Sequence, residues 1–146
     1  MKPSRGIAAL SIVIVAASLC GCSANSSGPS VAEAREQFYS VLDETQEAVG
    51  GVWENRDDSQ ARSCVIPNQS AGEQYPGLRI GAAPRDAEKS VQAVVDAWVR
   101  LGYTVKRTMI GDIAELQGRN ARDELLVFRV SDAAMTLQGE SECRPE

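Results

Sequence analysis

Apolar residues are spaced in three different ways along this chain. From Gly6 to Leu19 they run without a charge. Over Val31–Val49 and again over Ala87–Leu101 they return at every third or fourth position. Beyond Tyr103 they fall into short runs broken by turn residues. The middle pattern is that of a helix with one buried stripe. In the first helix the stripe is Val31, Ala34, Phe38, Val41, Leu42, Thr45, Ala48 and Val49. Ser30 and Glu33 have the spacing of a capping box, which satisfies free backbone N–H groups at a helix start. Gly50 and Gly51 stop it, because glycine takes the left-handed conformation cheaply. The second helix is predicted to open at Pro84, which suits a first turn because its missing N–H has no partner there. Its stripe is Ala87, Val91, Val94, Val95, Trp98 and Leu101, and Gly102 ends it.

Between the helices the pattern predicts two strands, Ala61–Pro67 and Leu78–Ala83. Trp53 either begins a further strand or plugs the end of the core. Arg56–Gln60 and Asn68–Gly77 read as loops. After the second helix come Tyr103–Ile110, Ile113–Gly118, Leu125–Val130 and Ala134–Cys143, separated by short turns. Leu125–Val130 is apolar on both faces and reads as a central strand. In the last strand Met135, Leu137, Gly139, Ser141 and Cys143 share a face, which puts Cys143 toward the core. The predicted class is α+β in the order α-β-β-α-β-β-β-β. The last four strands form an antiparallel meander, and the two amphipathic helices cover one face of the sheet.

The opening segment is different in kind. Lys2 and Arg5 precede it, and Ile7–Leu19 as a helix would be about 20 Å long, short of the roughly 30 Å a permanent span must cross. A basic start followed by a short apolar core reads as an export signal. Leu19-Cys20-Gly21-Cys22 follows at its end and resembles the bacterial lipobox: leucine at −3, a small residue at −2, glycine at −1 and cysteine at +1. The resemblance implies a diacylglyceryl group on the thiol of Cys22 and cleavage just before it. Cys20 does not fit that role, because bulky Leu19 precedes it. The alternative is ordinary secretion, with cleavage after Ala24. On the lipobox reading, residues 1–21 are the signal peptide, residues 22–30 a small, polar tether, and residues 31–146 a single domain. The expected location is the extracytoplasmic face of the cell membrane, held by lipid. The whole pattern, from lipobox to the closing "GESEC", is similar to that of small uncharacterised actinobacterial lipoproteins, which imply no activity.

The resemblance also changes the cysteine count. Cys20 would leave with the signal and Cys22 would carry lipid, so Cys64 and Cys143 remain as a pair in an exported domain, where disulfides persist. Two free, buried thiols are the alternative. A metal site is not expected, since the chain has no histidine.

Charge and composition narrow the function further. Loss of Lys2 and Arg5 takes the formal charge from −5 to −7. An acidic domain with few aromatics lacks the basic footprint of nucleic-acid binding. The absence of histidine removes Ser-His-Asp and Cys-His catalysis, and no glycine-rich phosphate loop occurs. No catalytic residue and no cofactor are predicted. The reading is a membrane-anchored, non-catalytic binding or interaction module. Its partners would be the membrane, through Cys22, and an envelope protein or cell-wall component. The alternatives are a surface enzyme using paired carboxylates, for which Asp112 and Glu115 are the candidates, and a structural or chaperone-like envelope factor.

Overall fold

A computed structural model describes residues 28–67 and 71–145. The signal segment, Cys20, Cys22 and the tether as far as Ser27 lie outside the described residues, as do Asn68–Ser70.

Helix α1 spans Val31–Val49. Its capping box is formed: the Ser30 N–H donates to Glu33 Oε2 at 2.8 Å, and the Glu33 N–H donates to Ser30 Oγ at 3.3 Å. Helix α2 spans Ala87–Arg100. It starts three residues later than Pro84, because Asp86 is the cap: its carboxylate accepts from the Lys89 N–H at 3.0 Å.

Among the described residues, nine strands accompany the helices. β1 (Trp53–Asn55), β2 (Arg62–Val65), β3 (Ala71–Gln74) and β4 (Pro76–Gly81) lie between α1 and α2. β5 (Thr104–Ile110), β6 (Ile113–Arg119), β7 (Leu125–Val130), β8 (Met135–Glu140) and β9 (Arg144–Pro145) follow α2. The class is α+β, and β5 to β8 form the expected antiparallel meander. Six strands make one sheet in the order β1-β4-β8-β7-β6-β5. A second sheet, β2-β3-β9, uses two strands not read from the sequence: β3, taken for loop, and β9.

Both helices lie on one face of the large sheet. What lets them approach is a row across it that carries three glycines. Gly77 on β4 pairs with Gly139 on β8, which pairs with Leu126 on β7, then Gly118 on β6, then Val105 on β5. Phe38 and Leu42 of α1 press onto Gly77, and Phe38 also onto Gly139. A Cβ on Gly118 would lie 2.6 Å from the Trp98 indole. The next row, Leu137, Phe128 and Leu116, is fully buried. Trp98 is closed off from water, and its Nε1 donates to Thr45 Oγ1 at 3.0 Å. Thr45 in turn donates to the Val41 carbonyl at 2.7 Å, so the indole's polar group is satisfied by the neighbouring helix.

β3 runs into β4 with only Tyr75 between them. The small sheet therefore projects beyond the end of the large sheet at which α1 begins. β8 stops at Glu140, and the chain then crosses to the small sheet, with the Ser141 N–H donating to the Tyr75 carbonyl at 2.9 Å. This corrects the strand-parity reading of Cys143, which does not sit on β8 beside Met135 and Leu137. It precedes β9 and is joined to Cys64 of β2, with Cα atoms 6.0 Å apart.

Candidate functional site

The molecule has two ends along the strand direction. α1 runs between them, about 28 Å at the usual rise of a helix. At the end where α1 begins, Gly28 lies against the guanidinium of Arg144. Arg144 Nη1 and Arg122 Nε both reach the Glu142 carboxylate, at 3.0 and 3.3 Å. Glu142 and Arg144 are mostly covered, and the Arg144 Nε has no partner. The disulfide lies beside this group. Gly72, on the central strand of the small sheet, pairs with Cys64 on one side and Pro145 on the other. A Cβ there would meet the Arg144 carbonyl at 2.7 Å, Ile66 Cδ1 at 2.9 Å and Cys143 Sγ at 3.0 Å. Only a residue without a side chain lets the bridge pass.

Just inside this end, Glu124 is 5% exposed. One carboxyl oxygen accepts from Asn120 Nδ2 at 3.0 Å, and the other has no partner. Burial pushes this carboxyl above its ordinary range, and the nearby Tyr103 hydroxyl and the Asn120 amide only partly offset that. Tyr103 is pushed strongly upward, first by its own burial and then by the Glu124 charge beside it.

Midway, Arg79 of β4 is buried under α1. It binds Asp57 in the β1–β2 connection and Asp43 of α1, the latter at 3.0 Å, and lies over the Tyr39 ring. Asp57 also accepts from the Leu78 N–H at 3.0 Å. This cluster fastens the connection to the helix and sheet. Arg79 Nε is without a partner.

At the far end, where α1 stops and α2 starts, a cleft of about 650 Å³ opens between the helices and the sheet. Val49, Val52, Ala93 and Met135 line it, and exposed Arg85 and Lys89 stand beside them. Its lining is mostly apolar, with Asp86 and Ser90 beside the two cations.

Of the residues singled out in the sequence, Cys22 lies outside the described residues, and Cys64 and Cys143 are bonded. Asp112 is exposed in the β5–β6 turn. Glu115 is covered on the helix-free face of the sheet, and both its oxygens are occupied: Gln117 Nε2 donates at 2.7 Å and Arg129 Nε at 2.6 Å. These two donors hold the carboxyl below its usual range, so it is a fixed anion without a proton to give. The pair is not assembled into an acid–base site. Arg79 and Glu124 went unread, because neither lies in a motif; their weight comes from burial alone. No group of three or more potential metal ligands occurs among the described residues, and no helix among them is long and apolar enough to cross a membrane.

No protein-family model matches the chain, and no curated protein matches it in sequence. Among solved structures, the chain is similar to the crystal structure of a DUF4853 family protein from Actinomyces odontolyticus, with a TM-score of 0.67. Sequence identity is 15%, over 82% of this chain and 71% of that one. At that identity the likeness speaks to the fold alone.

Proposed function

We propose that the protein is a lipid-anchored, non-catalytic binding module on the extracytoplasmic face of the cell membrane, acylated at Cys22. The observation that carries this reading is Leu19-Cys20-Gly21-Cys22 directly behind the uncharged Gly6–Leu19 segment. The Cys64–Cys143 bridge suits an oxidising, exported compartment. The fold supports it further. A tether entering at Gly28 approaches the end opposite the apolar cleft, which leaves that cleft turned away from the anchor as the recognition surface. The carboxylate-enzyme alternative loses support, because Glu115 is fully engaged by Gln117 and Arg129.

The test is fractionation of the full-length protein expressed in its own cells. The native chain is expected in the detergent phase, with a mass increase on the peptide that begins at Cys22. Cys22→Ser is expected in the medium or as an uncleaved precursor. A Cys22→Ser protein that stays membrane-bound with its first 21 residues removed overturns the reading.

A further inference from the structure

The six-stranded sheet ends in two unlike edges. β1 covers only three residues of β4, whereas β5 pairs with β6 over all seven of its residues, from Thr104 with Arg119 to Ile110 with Ile113, without a bulge. Among the described residues β5 has no neighbour on its other side. Its outer row of backbone N–H and C=O groups is therefore open to pairing. Apolar side chains collect along the same edge. Val99, Met109 and Ile110 are three of the five large apolar side chains left exposed among the described residues. Met109 and Ile110 end β5. Val99 belongs to α2, and Glu88 fixes which way it faces. The Glu88 carboxylate reaches over β5 and accepts two hydrogen bonds of 2.7 Å from the Arg107 guanidinium. Val99 follows Glu88 by about three helical turns, so it stands on the same flank of α2, toward the start of the strand.

We propose that a second copy of this chain joins at β5, the two strands pairing antiparallel about Arg107 into one continuous sheet. The edge is self-complementary in that register. Thr104 faces Ile110 of the second copy, Val105 faces its Met109, and Lys106 faces its Thr108. Val105 is on the helix side, because it pairs with Gly118 beneath Trp98. Met109 of the second copy is thus brought in beside Val105 and Val99, where apolar groups from both copies leave water. At the axis the two Arg107 side chains stand opposite each other, and each carries its own Glu88. The four groups together are neutral, and opposed Cβ atoms about 4.5–5.5 Å apart let each carboxylate bridge both guanidiniums. A shift of the pairing by two residues either way sets Lys106 against Lys106 or Arg107 against Met109, so the sequence of the strand selects one register. The two tether entries then lie at opposite ends of the joined sheet, and both reach one membrane when that sheet lies along it.

The test is sedimentation of the full-length protein in density-matched detergent over a concentration series, with amide hydrogen exchange and a melting curve on the same samples. The native chain is expected to pass from one to two copies as concentration rises, and exchange in β5 to slow as it does. Met109→Lys is expected to weaken the association by about tenfold or more, since a two-fold interface carries each change twice. Val65→Lys, which alters the exposed end of β2, should leave it unchanged. Glu88→Arg puts four guanidiniums at the axis and is expected to abolish the dimer, and Arg107→Glu added to it restores both the ion pairs and the dimer. That rescue, at unchanged melting temperature, separates the interface from a weakened fold. A single copy at every concentration overturns the proposal. So does a dimer that survives Met109→Lys or Glu88→Arg, or one in which β5 exchanges as fast as in the single copy, because the copies then meet elsewhere. No outcome depends on lipid at Cys22, so the anchor reading stands or falls by its own test.

Discussion

The two sheets of this protein share a strand path but are held by different physics. The six-stranded sheet is covered by α1 and α2, and its helix-side rows are nearly closed to water. Its stability is the removal of Phe38, Leu42, Trp98, Leu116, Phe128 and Leu137 from solvent, with glycines cut to fit the larger rings. The three-stranded sheet meets only the start of α1 and buries little apolar surface. In β2 every residue but Cys64 is exposed, and β9 is two residues long. What holds it is covalent: Cys64 to Cys143 across Gly72, aided by the buried Arg144–Glu142 pair. A fold can thus extend a sheet past the reach of its own core if a crosslink replaces burial, and small exported domains commonly use that route.

The comparison is broken most severely at Trp98. Trp98→Ala removes the ring that fills the hollow over Gly118 and the hydrogen bond to Thr45. A loss of about 3–5 kcal/mol is expected by urea unfolding, with the disulfide still formed. A loss under 1 kcal/mol would mean that the helices are not held by this contact. The smaller effect belongs to the crosslink. Cys143→Ser is expected to cost about 2–4 kcal/mol, and Cys64→Ser,Cys143→Ser little more than either single change. Amide hydrogen exchange sharpens the point: protection should fall in β2 and β3 and persist in β6 and β7. Uniform loss would show that the two sheets form one cooperative unit.

The smallest expected effect is a pH dependence set by Glu124. Its carboxyl is raised in the folded state by burial. The stability tied to it is therefore fully present below the carboxyl's ordinary range and is lost as pH rises through the folded value. Glu124→Gln keeps an acceptor for Asn120 and removes that loss. Stability measured against pH should then show the variant gaining on the native chain as pH rises from mildly acidic to neutral. Glu115 is held in the opposite direction and contributes equally to both proteins, so the difference between the two profiles isolates Glu124. A difference that does not change with pH would place Glu124 in water.

What could be read from the sequence follows the same division. Both helices and the β5–β8 meander carry periodic apolar residues, and periodicity is a local signal. The stripe of α1, with Phe38, Leu42 and Thr45, is the stripe that is buried. β3 could not be read, because Ala71-Gly72-Glu73-Gln74 has no strand-forming pattern. Its pairing comes from β2, β9 and the bridge, all remote in sequence or supplied by an oxidation. Strand parity points Cys143 at the core of the large sheet, and the structure differs. Alternation continued past Glu140 on paper, whereas the strand ends there and the cysteine belongs to the other sheet. β4 shows how alternation misleads. Leu78 and Ile80 lie on the open face, while Gly77, Arg79 and Gly81 lie under the helices. Glycine there makes room for Phe38 and Leu42. Arg79 is tolerated because Asp43 and Asp57 meet it, and neither fact is visible in a single strand's pattern.

The bridge across Gly72 also orders events in time. Cys143 follows β8, the last strand of the large sheet, so the two thiols cannot meet until every strand of that sheet has been synthesised. Free encounter across their 79-residue separation would have to overcome the entropy of closing so long a loop. The folded sheet removes most of that search. With Pro76 opposite Glu140, the chain leaving β4 toward Gly72 and the chain leaving β8 toward Cys143 are already neighbours. If β8 were shifted along β4, the sulfurs would be carried apart, and oxidation would seal only those molecules whose sheet had assembled in register. The bond is then less a cause of folding than its proofreader, locking in a pairing that the core has already chosen.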